Sequence, residues 1–222
     1  HSLVSELHAC APANLLKVVN ESGLDFKILL MPDMMAEFRR HPENMVPSIL
    51  KIADDPALFR DDKGRLVIAP YMASMQSVAW WRDALAELKA KGVDVMFVPL
   101  FQAWWKYADK YAPISEGFSD WGAATVGEVT GGQRKNSPKR CRDLGKLWMA
   151  PVRPQDFRPK AFLDFEAQNS GLYRAMWDVA IDGGAEWVQI ITWNDYSEAS
   201  EIAPSTETQH AFYDLTAYYV TW

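Results

Sequence analysis

The fold class is decided by a stretch near the C-terminus that reads Asp182-Gly-Gly-Ala-Glu-Trp-Val-Gln-Ile-Ile-Thr-Trp-Asn-Asp-Tyr-Ser-Glu198. The Gly-Gly pair is a turn signal, and the apolar run Glu186–Trp193 behind it has the length and composition of a buried strand. Polar residues, among them Asn194 and Asp195, follow directly. A strand that is apolar along its whole length is typical of a parallel sheet covered on both faces.

Five further apolar runs precede this strand, most of them entered through a Gly or Asp turn. The predicted strands are Phe26–Met31, Arg65–Pro70, Val93–Pro99, Phe118–Thr125 and Lys146–Val152. Helical periodicity separates them, with apolar residues three or four positions apart. The predicted helices are Leu3–Glu21, Met45–Ile52, Ser77–Lys91 and Gly171–Ile181. We expect the polar stretch Gly131–Arg142 to be a mobile loop.

The alternation of strands and helices predicts an α/β fold built on a parallel sheet. Six strand–helix units are visible, whereas a (β/α)8 TIM barrel needs eight strands and usually ~250 residues. The sequence therefore fits either a barrel that lacks two units at its N-terminal end or an open α/β sheet. We expect residues 1–222 to form a single domain, which is the default at this length.

Composition excludes several classes of protein. The net charge of −6 argues against nucleic-acid binding, which needs a basic surface. The longest apolar runs have the length of a strand, so no membrane-spanning segment is predicted. No leader segment follows His1, and we expect a processed chain or a fragment. The ten tryptophans are unusually many, and they indicate either carbohydrate binding or the packing of large rings in the core.

Metal, phosphate and nucleophile chemistry have little support in the sequence. The four histidines are isolated and show neither HxH nor HExxH spacing. No strand leads into a GxGxxG loop, and there is no GxSxG elbow. A cysteine nucleophile would have to be Cys10 or Cys141, and neither lies at a strand end. We therefore expect no metal and no organic cofactor, while the redox state of the two cysteines stays open.

Two carboxyl groups follow the last strand at a spacing that suits acid–base chemistry. Asp195 and Glu198 lie where a parallel strand delivers its residues to the edge that carries active sites in barrels. Glycoside hydrolysis needs one protonated carboxyl for the leaving oxygen and one ionised carboxyl. The alternative is a pair of ordinary loop acids, one of which caps the next helix. Because Trp193, Asn194 and Tyr196 accompany the two acids, we favour the catalytic interpretation.

Other residues beyond strand ends are candidate contacts for a sugar. Asp33 follows the first predicted strand, where it would accept a bond from a sugar hydroxyl, act as a catalytic partner or cap the helix after it. The remaining candidates follow the third, fourth and fifth strands and are Trp104, Trp105, Trp121 and Asp156. For each of these aromatic residues, core packing is an equally good explanation.

The segment Val188–Glu198 resembles the last barrel strand of glycoside hydrolase family 71, the α-1,3-glucanases or mutanases. That strand ends in a Trp-Asn-Asp-Tyr/Trp-Gly-Glu-Ser pattern, and both of its acids are present here. Four earlier segments resemble the family's third, fifth, sixth and seventh strands, namely Phe26–Met34, Phe97–Pro99, Gly117–Trp121 and Trp148–Val152. The resemblance runs from about residue 12 to the end and leaves the first two barrel strands without a counterpart.

This resemblance implies a (β/α)8 TIM-barrel glycosidase fold, incomplete at the N-terminus, and inverting hydrolysis of an α-glucan without a cofactor. It implies Asp195 and Glu198 as the acid–base pair, Glu198 as the proton donor and Asp33 as a supporting acid. The carboxyls of an inverting pair lie ~6.5–9.5 Å apart. The family also implies an extracellular or cell-envelope location. Ser197 and Ala199 stand where the family has Gly and Ser.

Two other interpretations stay open. A non-catalytic glycan-binding barrel, or an inactive fragment, would keep the tryptophan-rich loops and bind a polysaccharide without turnover. A barrel glycosidase for another α-linked glycan would turn over a different substrate, such as the α-mannosides of the related family 99. No pattern in the sequence indicates an oligomeric state.

Overall fold

A computed structural model describes residues 3–158 and 161–221, with side chains from residue 13 onward. Its helices are α1 (Leu3–Ser22), α2 (Met45–Leu50), α3 (Val78–Ala90), α4 (Ala108–Tyr111), α5 (Val126–Thr130), α6 (Gly132–Lys135), α7 (Ser137–Asp143), α8 (Gly171–Asp182) and α9 (Ala211–Thr221). Its strands are β1 (Leu66–Ile68), β2 (Val95–Phe97), β3 (Leu100–Phe101), β4 (Gly117–Asp120), β5 (Leu147–Val152), β6 (Asp156–Arg158), β7 (Leu163–Phe165) and β8 (Trp187–Ile190). The chain divides into two compact units, His1–Leu100 and Phe101–Trp222.

The first unit contains a parallel pair of strands. β1 and β2 pair in a register that begins with Leu66 opposite Val95. The first predicted strand, Phe26–Met31, runs parallel to β1 and bridges it through Leu30 and Ile68. The structure thus reduces this predicted strand to isolated bridges, while its parallel direction agrees with the prediction.

Helix α3 of the first unit begins and ends where its sequence signals predict. The Ser77 hydroxyl accepts a hydrogen bond from Trp80 N at 3.1 Å, which caps the first turn. Gly92 follows the helix with a φ of 88°, a conformation that glycine adopts without a steric penalty. The ring of Trp81 is buried and packs against Phe97 with the centroids 4.8 Å apart. Such burial ties the helix to the strand pair.

The second unit is built on a four-stranded sheet of order β3-β4-β5-β8. β5 pairs in parallel with both β4 and β8, so that Met149 has Ser119 on one side and Trp187 on the other. Because these three strands are parallel, their C-terminal ends meet at one edge of the sheet. The peptide bond Ile191–Thr192, which follows β8, is cis.

Helices α8 and α9 of the second unit form an aromatic core with the sheet. The ring of Tyr173 meets Phe212 edge-on at 5.6 Å, and Trp177 stacks on Tyr219 at 5.0 Å. The hydroxyl of Tyr173 lies 2.7 Å from Oγ1 of Thr216, which satisfies its polar end. Burying each large ring stabilises the fold by roughly 1.5–3 kcal/mol.

Three features of the second unit differ from the sequence prediction or go beyond it. The expectation of a loop over Gly131–Arg142 is wrong, because α6 and α7 occupy this stretch. Pro138 stands in the first turn of α7, and Cys141 on the same helix is buried. The antiparallel hairpin of β6 and β7 was not predicted, nor was the short helix α4. The single-domain organisation of residues 1–222 stays a prediction.

Candidate active site

The segment after β8 folds back on itself as a closed loop. Thr192 N donates to Ser200 O at 2.9 Å, and Ile202 N donates to Thr192 O at 3.0 Å. The Thr192 hydroxyl also accepts a hydrogen bond from Asp195 N at 3.0 Å. The turn that carries both candidate acids is therefore closed by backbone hydrogen bonds between its two ends and by the bond of the Thr192 side chain to Asp195 N.

Asp195 uses one carboxylate oxygen to build this turn. Its Oδ1 accepts hydrogen bonds from Ser197 N at 3.1 Å, from Ser197 Oγ at 2.6 Å and from Glu198 N at 3.1 Å. Its Oδ2 accepts no hydrogen bond from the residues that the structure describes. Asp195 is thus the turn-forming loop acid of the alternative interpretation, yet its second oxygen stays available for chemistry.

Glu198 combines partial burial with a single charged partner. Its side chain is 27% exposed, and Oε1 accepts a hydrogen bond from Arg158 Nη1 at 2.8 Å. Burial raises the pKa of the Glu198 carboxyl, the Arg158 cation opposes that rise, and the Asp195 charge adds to it. A carboxyl with a raised pKa keeps its proton at a higher pH, as a proton donor must.

Two arginines that were not predicted from the sequence contribute to the site: Arg158 lies on strand β6 of the hairpin, and Arg153 directly follows strand β5. Asp156 accepts hydrogen bonds from Arg158 Nε at 2.7 Å and Nη2 at 2.6 Å, and it also pairs with Arg153 at 2.7 Å. These bonds raise the pKa of Arg158, which stays charged. Gly122 leaves the space that Arg153 needs, because a Cβ there would lie 3.1 Å from Arg153 Cδ.

This arrangement changes the role predicted for Asp156. The residue is 4% exposed and both of its oxygens are engaged by arginines, so it holds the two cations and does not face a substrate. The sequence did carry a signal, because Asp156 and Arg158 alternate on one strand and therefore share a face.

The aromatic residues beside the two acids face solvent. Trp193 is 55% and Tyr196 56% exposed, and Asn194 is also exposed. The Trp193 ring meets Tyr213 edge-on at 6.3 Å, and the Tyr196 hydroxyl donates to Pro204 O at 3.4 Å. These contacts leave ring surface on which the apolar face of a sugar can stack.

Trp104 belongs to the core, which corrects the expectation that it contacts a sugar. It is 1% exposed, and its ring packs against Trp148 at 5.0 Å and Phe118 at 5.5 Å. Its indole N–H donates to the Ser137 hydroxyl at 2.8 Å. No ring surface is left for a ligand.

The next tryptophan along the chain, Trp105, lines an open groove of about 290 Å³. The guanidinium of Arg134 lies 5.2 Å from the centre of its ring, and Glu128 and Gln133 also line the groove. The turn with Asp195 and Glu198 does not line it. Trp121, after β4, is half-buried.

Asp120, at the end of β4, is a buried acid that was not predicted as functional. It is 1% exposed, and its Oδ1 lies 3.3 Å from Arg134 Nη2 and accepts from Gly122 N at 3.1 Å. Its Oδ2 has no hydrogen-bond partner within the described part of the chain. Burial raises the pKa of Asp120 to about 7, although the Arg134 cation opposes that rise.

Asp33 belongs to the first unit, where its carboxylate caps a turn. Oδ1 accepts hydrogen bonds from Met35 N at 2.7 Å and from Ala36 N at 2.9 Å, and the backbone of Asp33 bridges that of Tyr71. Asp33 thus acts as a cap, but of a turn and not of the helix that the capping alternative expected. Its role as a supporting acid stays a prediction.

The structure offers no candidate metal site among the residues it describes. No group of three or more His, Cys, Asp or Glu side chains in residues 13–158 and 161–221 is placed to bind a metal. Cys141 is a buried free thiol, and burial raises its pKa to about 12, which does not suit a nucleophile. Cys10 lies outside the described side chains. No described helix has the length and apolar character to cross a bilayer.

Comparison with known proteins identifies relatives with low identity. The family model of glycosyl hydrolase family 71 matches residues 14–221. A glucan endo-1,3-alpha-glucosidase of Schizosaccharomyces pombe is 22% identical over 187 residues, which are 80% of this chain and 43% of the relative. An ascus wall endo-1,3-alpha-glucanase of the same yeast is 23% identical over 129 residues, which are 56% and 30% of the two chains. The chain thus spans less than half the length of these relatives.

Solved structures show the same fold. The endo-alpha-mannosidase of family 99 from Bacteroides thetaiotaomicron matches with a TM-score of 0.69 and 20% identity, over 88% of this chain and 65% of that one. Its complex with bis-tris-propane also gives a TM-score of 0.69, at 19% identity, with 88% and 69% covered. This likeness confirms the predicted fold class, an incomplete (β/α) barrel. Since the family match covers nearly the whole sequence, the chain belongs to glycosyl hydrolase family 71.

Proposed function

We propose that this chain carries the catalytic centre of an endo-1,3-α-glucanase that hydrolyses its polysaccharide with inversion, and that residues 1–222 act as one barrel domain. The observation that carries the proposal is the environment of Glu198. A partly buried carboxyl with a raised pKa lies on a tight turn with a second acid, Asp195, at the C-terminal edge of a parallel sheet. The glucanase relatives supply the class of substrate.

In the proposed reaction, Glu198 gives its proton to the glycosidic oxygen while the bond from that oxygen to the anomeric carbon breaks, and the electron pair of that bond stays on the oxygen. Water attacks the anomeric carbon from the opposite face, and Asp195 takes its proton through Oδ2. The sugar changes anomeric configuration, Asp195 releases its proton to solvent, and Glu198 regains a proton from solvent. Neither a metal nor an organic cofactor takes part.

The substrate is proposed to stack on Trp193 and Tyr196, with Asn194 bonding to its hydroxyls. These three exposed residues accompany the acids on one loop. Trp105 and Trp121 are proposed as contacts for more distant sugars of the chain. Asp33 stays in its proposed role as a supporting acid. We also propose that the protein acts outside the cell or at its envelope, which its similarity to an ascus wall glucanase supports.

The test is the release of reducing sugar from insoluble α-1,3-glucan. We expect release by the unmodified chain and a loss of about 10²–10⁴-fold in Asp195→Asn and Glu198→Gln, because each variant removes one partner of the acid–base pair. Glu207→Gln is the matched control, since Glu207 is an exposed acid of the same unit. Nuclear magnetic resonance of the first product reads the anomer and tests inversion.

Each alternative has its own result. Normal turnover by both acid variants would overturn the site. Turnover of an α-mannoside without turnover of α-1,3-glucan would overturn the substrate. Binding to glucan beads with no release of sugar by the unmodified chain would replace hydrolysis by the glycan-binding interpretation.

A further inference from the structure

We propose that Arg158 is a positioning residue for the reaction: held by Asp156, it binds one oxygen of Glu198 and thereby places the transferable proton on the other. This inference rests on the proposed function of Glu198 as proton donor. No sequence motif singled out Arg158 as functional. In this proposal it acts through Glu198 and does not touch the substrate.

The guanidinium of Arg158 is fixed before it reaches Glu198. Asp156 binds it through Nε at 2.7 Å and Nη2 at 2.6 Å, a two-point contact that sets the plane of the group. Asp156 itself is buried and is held by Arg153, also buried, at 2.7 Å. The one edge left, Nη1, points at Glu198 Oε1 at 2.8 Å.

The backbone of the hairpin holds the same residue a second time. Phe157 N donates a hydrogen bond to Glu198 O at 2.9 Å. Glu198 is therefore bound to strand β6 through both its main chain and its side chain. A residue held at both its main chain and its side chain gives its carboxyl a narrow range of orientations, which proton transfer in the transition state requires.

The hydrogen bond from Arg158 also decides which oxygen carries the proton. Oε1 accepts from a permanently charged donor, so in the neutral acid the proton resides on Oε2. Oε2 accepts no hydrogen bond from the residues described in the structure. Oε2 is therefore the oxygen that is free to face the leaving group. The chain of contacts from Asp156 through Arg158 to Glu198, which we call the clamp, sets the direction of Oε2.

The charges around Glu198 give this arrangement a measurable signature. Arg158 and Arg153 lower the pKa of Glu198, whereas burial and the charges of Asp195 and Asp156 raise it. Removal of the Arg158 cation leaves only Arg153 to oppose the raising influences, and the pKa of Glu198 then rises. Since activity falls as the donor loses its proton, the basic limb of the pH profile moves to higher pH.

The experiment compares Arg158→Gln, Arg158→Lys and Glu198→Gln on two substrates. One is an α-1,3-gluco-oligosaccharide, and the other is a dinitrophenyl glycoside of the same sugar, whose leaving group departs without a proton. Arg174→Gln is the matched control, because Arg174 is an exposed arginine of the same unit. Thermal unfolding of each variant shows whether it folds.

We expect Arg158→Gln to lower kcat on the oligosaccharide about tenfold to a hundredfold and kcat on the dinitrophenyl glycoside less than about threefold, with the basic limb at higher pH. Arg158→Lys keeps the charge and loses the two-point contact, so kcat falls while the limb stays in place. If Arg158→Gln does not fold, Arg158→Lys provides the test. A fall in kcat on the oligosaccharide without a fall in kcat on the dinitrophenyl glycoside then supports the positioning role of Arg158.

Equal losses on the two substrates, or wild-type kinetics in Arg158→Gln, would overturn this inference. The proposed function is judged by another variant, Glu198→Gln. If that variant loses the oligosaccharide selectively while Arg158→Gln behaves as wild type, only the clamp fails. If Glu198→Gln is fully active on both substrates, the proton donor is wrongly assigned and the clamp fails with it.

Discussion

Replacing Asp120 by asparagine is expected to remove a pH dependence from the stability of the second unit. Asp120 is buried at the end of β4, and its pKa is about 7 in the folded chain against an ordinary value of 3.8. Because the folded state binds this proton more tightly than the unfolded state does, the protonated carboxyl stabilises the fold. That contribution is complete below pH 3.8 and is lost as the pH rises through about 7.

The size of the effect follows from the two pKa values. One pKa unit corresponds to about 1.4 kcal/mol, and the ionisation of Asp120 between pH 5 and pH 8 therefore lowers the free energy of unfolding by about 2.5 kcal/mol. Asparagine does not ionise, so the variant lacks this fall. The asparagine, like the protonated carboxyl, gives Arg134 no counter-charge at any pH, so this site contributes a nearly constant amount to the stability of the variant across this range.

The assay is urea unfolding at four pH values between 5 and 8, followed by tryptophan fluorescence and by circular dichroism. The quantity to compare is the difference in free energy between the unmodified chain and Asp120→Asn at each pH. Other titrating groups act on both chains and cancel in this difference. Parallel curves would refute the buried, protonated state of Asp120, and so would a fall that is steeper in the variant.

Two further predictions concern packing. Trp104→Ala should lower the free energy of unfolding by roughly 3–5 kcal/mol, because it leaves a cavity in the core. Trp193→Ala should weaken retention on glucan beads and leave the free energy of unfolding nearly unchanged, because Trp193 is exposed. If the two variants gave each other's results, Trp104 would be a sugar contact after all. Gly183→Ala should destabilise the fold by about 1–3 kcal/mol in thermal unfolding, since its Cβ would lie 2.5 Å from Pro138 Cγ, while Gly127→Ala has free space around it and serves as the control. Equal unfolding midpoints for the two alanine variants would contradict this.

The parallel strands and their acids could be predicted because their signals are local. The run Glu186–Trp193 is mostly apolar and follows a glycine turn, and β8 lies within it. Asp195 and Glu198 come directly after that strand, so the direction of the chain alone brings them to the edge of the sheet. The same argument holds for helix α3, whose bounds lie within the predicted helix Ser77–Lys91.

The roles of single side chains depended on contacts between distant residues. Trp104 and Trp193 both follow a predicted strand, yet the first is buried against Trp148 and the second is exposed. Arg158 reaches Glu198 across 40 positions of the chain, and no spacing in the sequence announces such a partner. Stretches of mixed polar sequence, such as Gly131–Arg142, also form helices when one face finds a core to pack against.

The contacts of Asp156 with Arg153 and Arg158 also restrict which substitutions this chain can accept. Loss of Asp156 alone would strand the buried Arg153 and release Arg158, and an uncompensated buried charge costs about 3–5 kcal/mol. We therefore expect Asp156, Arg153 and Arg158 to be tolerated only when all three are kept or all three are replaced together, because replacing Asp156 alone leaves unpaired charges. Among the residues that surround the proposed proton donor, selection should act as strictly on the buried Asp156 as on the acids that meet the glycan.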